Sequence, residues 1–164
     1  MKKLIIPLLL GMILSQPLCG QDMDHDELYE TVLSVSHSID GVGGRELDHV
    51  NWRFEIDSVR FILTSNMAYD RMKIVAQIAE TSKLKPSEMK RCMQANFESS
   101  LDTRYAISNG YVWSVFSNPL RELSRNRVLD AISQVYSGVK TFGTHYDGAL
   151  LKVTPKEDEE VSDK

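Results

Sequence analysis

The sequence predicts an α+β domain: a single antiparallel five-stranded sheet with helices on one face, in the order α-β-β-β-α-β-β-α. Three observations predict it. Two blocks, residues 50–78 and 104–116, alternate apolar and polar side chains with a period of two, as half-buried strands do. Short turn-forming stretches, above all Asn109-Gly110, divide each block, so neighbouring strands run antiparallel. Segments with a 3.6-residue apolar period stand before, between and after the blocks, which separates helices from strands as α+β proteins do.

Residues 1–20 read as a secretory signal peptide. Lys2 and Lys3 precede an apolar run of 11 residues, Leu4 to Leu14, broken only by Pro7 and Gly11. A spanning helix needs about 20 apolar residues, so the run is too short for a stable membrane anchor. Cleavage is expected after Gly20, placing the mature protein in the periplasm or outside the cell. A lipid-modified Cys19 and a retained anchor are the rival readings.

The first helix is expected over about 26–40, from the period of Leu28, Thr31, Val32, Val35 and Ile39. Gly41-Val-Gly-Gly44 ends it as a joint. Val50, Trp52, Phe54 and Ile56 then alternate with Asn51, Arg53 and Glu55, and Asp57-Ser58 suits a tight turn. Val59, Phe61 and Leu63 alternate with Arg60, Ile62 and Thr64. Met72, Ile74, Ala76 and Ile78 alternate with Arg71, Lys73, Val75 and Gln77. Lys85-Pro-Ser-Glu88 opens a second helix with proline in its first turn and an acid at its positive end. Its apolar stripe is Met89, Cys92, Met93 and Phe97. Tyr105 and Ile107 are expected to face the core. On the return strand Tyr111, Trp113 and Val115 are expected inward, and Val112, Ser114 and Phe116 outward. Ser124 can cap the last helix, whose stripe runs from Val128 to Phe142, with Gly143 closing it. The domain is expected over 21–148, followed by an acidic, disordered tail over 149–164 that contains Glu157 to Glu160.

This order resembles the fold of type III secretion chaperones and of the YbjN-type bacterial sensory transduction regulators. Arg71-Met-Lys-Ile-Val-Ala-Gln-Ile78 is similar to the third-strand segment of YbjN-like proteins. Met93-Gln-Ala-Asn-Phe97, Arg104-Tyr-Ala-Ile-Ser108 and Asn118-Pro-Leu-Arg-Glu-Leu123 resemble their stretch from second to third helix. The resemblance covers roughly residues 25–143. It implies a non-enzymatic binding protein; the chaperones are small acidic homodimers that hold an extended partner segment. The signal peptide departs from that pattern, since those chaperones act in the cytoplasm.

Composition excludes several classes. The chain of 164 residues is 42% apolar and carries a formal charge of −4, an ordinary globular balance. Residues 49–148 hold 13 basic and 10 acidic side chains, too weak an excess to imply nucleic-acid binding. After cleavage Cys92 is the remaining cysteine, so no intramolecular disulfide can form, and its place on a helix stripe points to burial. His25, His37, His49 and His145 show no metal-binding spacing, and Gly41 to Gly44 lacks the lysine of a phosphate loop. His25 with Asp22, Asp24 and Asp26 reads better as a frayed terminus than as a metal site. Asp57, Asp70 and Asp102 are more simply turn formers than paired acid–base groups. No cofactor, metal or catalytic residue is assigned.

What remains is the sheet face opposite the apolar stripes. It is expected to carry Arg53, Arg60, Arg71, Lys73 and Arg104 against Glu55 alone, with Ile62, Val75, Val112 and Phe116 among them. Apolar side chains on a basic, otherwise wet surface suggest a contact surface for another chain. Three readings stand: the face binds a protein or peptide partner or a second copy in a homodimer; it docks the chain's own acidic flank; or a pocket elsewhere serves an enzyme or small-ligand binder.

Overall fold

The computed structural model describes residues 51–153 throughout, the backbone of 45–48, and residues 26–28, 30, 31 and 34. The signal peptide, the glycine joint and the Glu157–Glu160 run lie outside the described residues.

The strands are β1 (Arg45–Asp48), β2 (Asn51–Ile56), β3 (Val59–Asn66), β4 (Arg71–Glu80), β5 (Arg104–Ser108) and β6 (Tyr111–Asn118). Two helices are described throughout, α1 (Pro86–Glu98) between β4 and β5, and α2 (Arg125–Lys140) after β6. The sheet order is β1-β2-β3-β4-β6-β5, with every neighbouring pair antiparallel. The five expected strands and their order are present. β1 is an addition: Arg-Glu-Leu-Asp has no run of alternating apolar residues to announce it. Of the expected first helix, residues 26–28, 30, 31 and 34 are helical. Leu28 lies fully within the core, and Ser34 accepts a hydrogen bond from Arg125 at 2.6 Å.

α2 packs on β4 and β6. Val128, Ile132 and Val135 close over Leu63, Met72, Ile74 and Phe116, all buried, and Phe54 stacks on Phe61 with ring centroids 4.9 Å apart. The helix comes close because small residues meet. A Cβ on Gly138 would lie 2.6 Å from Ser114 Oγ, and Tyr105 Oη donates to the Gly138 carbonyl at 2.9 Å. Ser124 accepts from the Arg127 amide and caps α2, as expected.

The β2–β3 hairpin turns on two residues, Asp57 (φ 47) and Ser58 (φ 66), between the paired Ile56 and Val59. Both are left-handed, as a type I′ turn requires. Tyr136 Oη donates to the Asp57 carboxylate at 2.7 Å and Lys140 Nζ to its carbonyl at 3.2 Å, tying the turn to α2. Burial, then the bond to Asp57, pushes the Tyr136 hydroxyl up to about 12. Left-handed backbone costs a non-glycine residue about 1–2 kcal/mol, and glycine's extra chain entropy offsets about 0.4–1 of that. Ser58→Gly is therefore expected to stabilise the protein by about 0.5–1 kcal/mol, read as a higher urea midpoint with unchanged slope.

α1 covers the β5 end of the sheet. Its start is held by the Glu88 carboxylate, which accepts from the Lys85 amide at 2.7 Å. Cys92 and Ala95 pack with Tyr105, Val112 and Tyr146. Cys92 is buried, as expected, and burial pushes its thiol up to about 11. Asn96 lies along the outer edge of β5: its side-chain nitrogen donates to the Tyr105 carbonyl at 3.0 Å, and its oxygen accepts from the Tyr105 amide at 2.7 Å. One side-chain amide thus occupies both backbone groups that a further strand would use there.

The chain stays on the body well beyond Gly143, as far as the last described residue, Val153. Tyr146 is buried, Ser137 Oγ donates to the Asp147 carbonyl at 2.7 Å, and the Gly148 amide donates to the Ser99 carbonyl at 3.1 Å. Lys152 pairs with Asp130 at 3.2 Å, and the Val153 amide donates to Ser133 at 3.0 Å. Local composition does not show these contacts, because their partners lie on α2 and in the α1–β5 loop.

Candidate protein-binding face

With α2 on one side, the opposite side of the sheet is left bare among the described residues. Strand register builds a continuous row across it: Arg53 pairs with Ile62, Ile62 with Val75, Val75 with Val115, and Val115 with Arg104. Three half-buried aliphatic side chains therefore sit between two arginines. The row beside it brings Thr64, Lys73 and Ser117 together. On the other side lie the Glu55–Arg60 pair and Gln77 opposite Trp113. Trp113 is half-buried and its Nε1 donates to the Ser108 carbonyl at 3.0 Å. A shallow concavity of about 520 Å³ indents this side between Arg53, Glu55, Arg60, Ile62, Gln77 and Trp113.

Of the expected contact residues, Arg53, Arg60, Arg71, Lys73 and Arg104 are exposed and Ile62 and Val75 are half-buried on this side. Val112 and Phe116 are not there. Each is 1% exposed and lies in the core, and Trp113 and Val115 take their places. The reason is the Asn109-Gly110 turn. Its two residues have φ 51 and 78, so Ser108 pairs with Tyr111 and Tyr105 with Ser114. A strand pair joined this way shares faces: Tyr105 inward forces Val112, Ser114 and Phe116 inward. The turn signal was sufficient to place them, and outweighs the greater apolarity of Tyr111, Trp113 and Val115.

The electrostatics are one-sided. Five cations share the bare side with Glu55. Among the described residues Arg53, Arg60 and Lys73 have no ion-pair partner, and Glu55 makes no ion pair with Arg60 across the strands. Arg71 donates to the Asp70 carbonyl at 3.2 Å. Arg104 folds back onto the carbonyls of Leu101 and Thr103.

A second apolar surface lies at the α1–β5 edge. Met93 and Phe97, expected in the helix stripe, point outward at 68% and 92% exposure, and Ile107, expected inward, is 58% exposed. The buried stripe of α1 is narrower than its apolar residues suggest, because the helix covers only the end of the sheet.

The carboxylates considered for acid–base work have structural employment. Asp57 forms the hairpin turn. Asp70 is left-handed (φ 49) and pairs with Arg121 at 3.3 Å. Asp102 pairs with Arg127 at 2.9 Å. Gln134, fully buried and not anticipated, accepts from the Asp102 amide at 3.0 Å and donates to Asp130 at 2.8 Å, which fastens the α1–β5 loop to α2. Among the described residues no three His, Cys, Asp or Glu side chains are grouped to hold a metal ion.

No family model and no curated protein matches the sequence. Among solved structures, a chain of the HopA1–SchA chaperone–effector complex has a similar fold. The TM-score is 0.55 at 13% identity, covering 73% of this chain and 97% of that chain. The architecture is that of a type III secretion chaperone-like α+β protein, as the element order predicts.

Proposed function

We propose that the chain is a non-catalytic protein-binding module that holds a segment of another polypeptide on its bare sheet face. The observation that carries this reading is the Ile62–Val75–Val115 strip set between cations that form no ion pair among the described residues. An aliphatic strip gains from being covered, at roughly 25 cal/mol per Å² of apolar surface removed from water. The surrounding cations favour an occupant of opposite charge. The structural neighbour is a chain of a chaperone–effector complex, which supports a role in polypeptide binding. The YbjN-like segments support membership of that regulator family, and the leader over 1–20 supports export.

The bare face suits a second copy poorly, since two such faces would oppose five cations with five. The homodimer contact is placed instead at Met93, Phe97 and Ile107, where exposed apolar surface carries no such excess of charge. One experiment separates the two surfaces. A photo-crosslinking amino acid is introduced at Ile62 or at Phe97 in the full chain in its own cell. Position 62 is expected to trap a different polypeptide, and position 97 a second copy. Uncrosslinked monomer from position 62 overturns the protein-binding reading, and from position 97 the dimer.

A further inference from the structure

Resting on that reading, we infer that the occupant is an extended segment bearing acid, apolar, apolar and acid at alternate positions, laid across the strands along the Arg53–Ile62–Val75–Val115–Arg104 row. Three features lead to this chemistry. The first is spacing. Neighbouring strands are about 4.8 Å apart, so the four steps from Arg53 to Arg104 span about 19 Å. An extended chain advances about 3.3 Å per residue, and residues six apart, about 20 Å, point the same way. Acids at the first and seventh positions reach the two arginines. Apolar side chains at the third and fifth positions fall near the gaps between Ile62, Val75 and Val115.

The second feature is charge. Arg53 has no ion-pair partner among the described residues, and Arg104 is satisfied only by neutral carbonyls. A carboxylate gives a guanidinium a stronger, charge-assisted bond. The strip between them rejects a phosphate backbone, which would leave three aliphatic side chains against charge. The third is the edge. Asn96 occupies the Tyr105 amide and carbonyl on the outer side of β5, so strand addition at that point of the β5 edge is disfavoured relative to the open face beside it. The last described residue, Val153, is fixed to Ser133 of α2, on the other side of the sheet.

The test uses fluorescein-labelled peptides and the full chain. The matched peptide is Gly-Glu-Ser-Leu-Ser-Leu-Ser-Glu-Gly. The scrambled control, Gly-Ser-Glu-Leu-Ser-Leu-Glu-Ser-Gly, has the same composition but turns its acids to the other side. The matched peptide is expected to bind about five- to tenfold more tightly, and more weakly as salt rises. Arg53→Glu removes that advantage, and a peptide with one glutamate changed to lysine recovers it, which a merely misfolded variant could not do. Val75→Ser weakens both peptides. Equal binding of the two peptides, failure of the lysine rescue, or tighter binding of a short oligothymidylate overturns the inference. Crosslinking of a polypeptide at position 62 with no such peptide preference overturns this occupant and leaves the protein-binding reading standing. Loss of both overturns both.

Discussion

Replacing Phe116 by alanine is expected to destabilise the protein by about 3–5 kcal/mol, the usual cost of removing a fully buried aromatic ring. Phe116 is 1% exposed and packs with Ile74 and the apolar side of α2. The Arg127 guanidinium lies 5.3 Å from its ring centroid. Val115→Ala, one residue away on the bare side, is expected to cost under about 1 kcal/mol, since the side chain is half in water already. Paired urea titrations measure both. Similar losses at 115 and 116 would refute the register of β6. The contrast also governs how partner contacts are probed: a charge placed at Val112 or Phe116 tests folding, whereas one at Ile62, Val75 or Val115 tests the surface.

Gly148→Ala is expected to cost about 2–4 kcal/mol. An added Cβ would sit 2.3 Å from the Ser100 carbonyl oxygen and 2.8 Å from its carbon. Both are backbone atoms that cannot swing aside. Relief requires lifting residues 144–153 away, which breaks the bond from the Gly148 amide to Ser99. Gly143→Ala makes the comparison: at φ 82 with nothing within 4 Å, it costs only the left-handed backbone strain, about 1–2 kcal/mol. The readouts are the urea midpoint and faster proteolytic loss of the segment after Gly143. A Gly148→Ala variant no weaker than Gly143→Ala would show that the strap packs more loosely than described.

Most of the sheet is legible in the chain, because β2, β3 and β4 each bury one set of alternate residues. β6 is the instructive exception. Tyr111, Trp113 and Val115 are the more apolar set, yet the core takes Val112, Ser114 and Phe116. Ser114 is inside because Gly138 of α2 approaches it, a contact between residues 24 positions apart that no local pattern announces. The Asn109-Gly110 turn carried the same information through geometry alone. Of the candidate surface, the charges were readable one by one, since cations on a strand seek water. The row that aligns them with Ile62, Val75 and Val115 exists only through register. Tyr146 and Gln134 were invisible for the same reason: each is buried by elements distant in sequence.

Asn96 bears on how such a surface lets go. A guest stitched into a β-ladder leaves only when consecutive peptide bonds are broken together, and an open border invites guest after guest to stack. By plugging the β5 border at Tyr105 with one amide, this molecule leaves a visitor beside that border with grease and charge. Those contacts yield one by one to competing ions or to a tug along the chain. A guest on the proposed face is therefore expected to come and go, and the β5 border is a poor seed for a fibre.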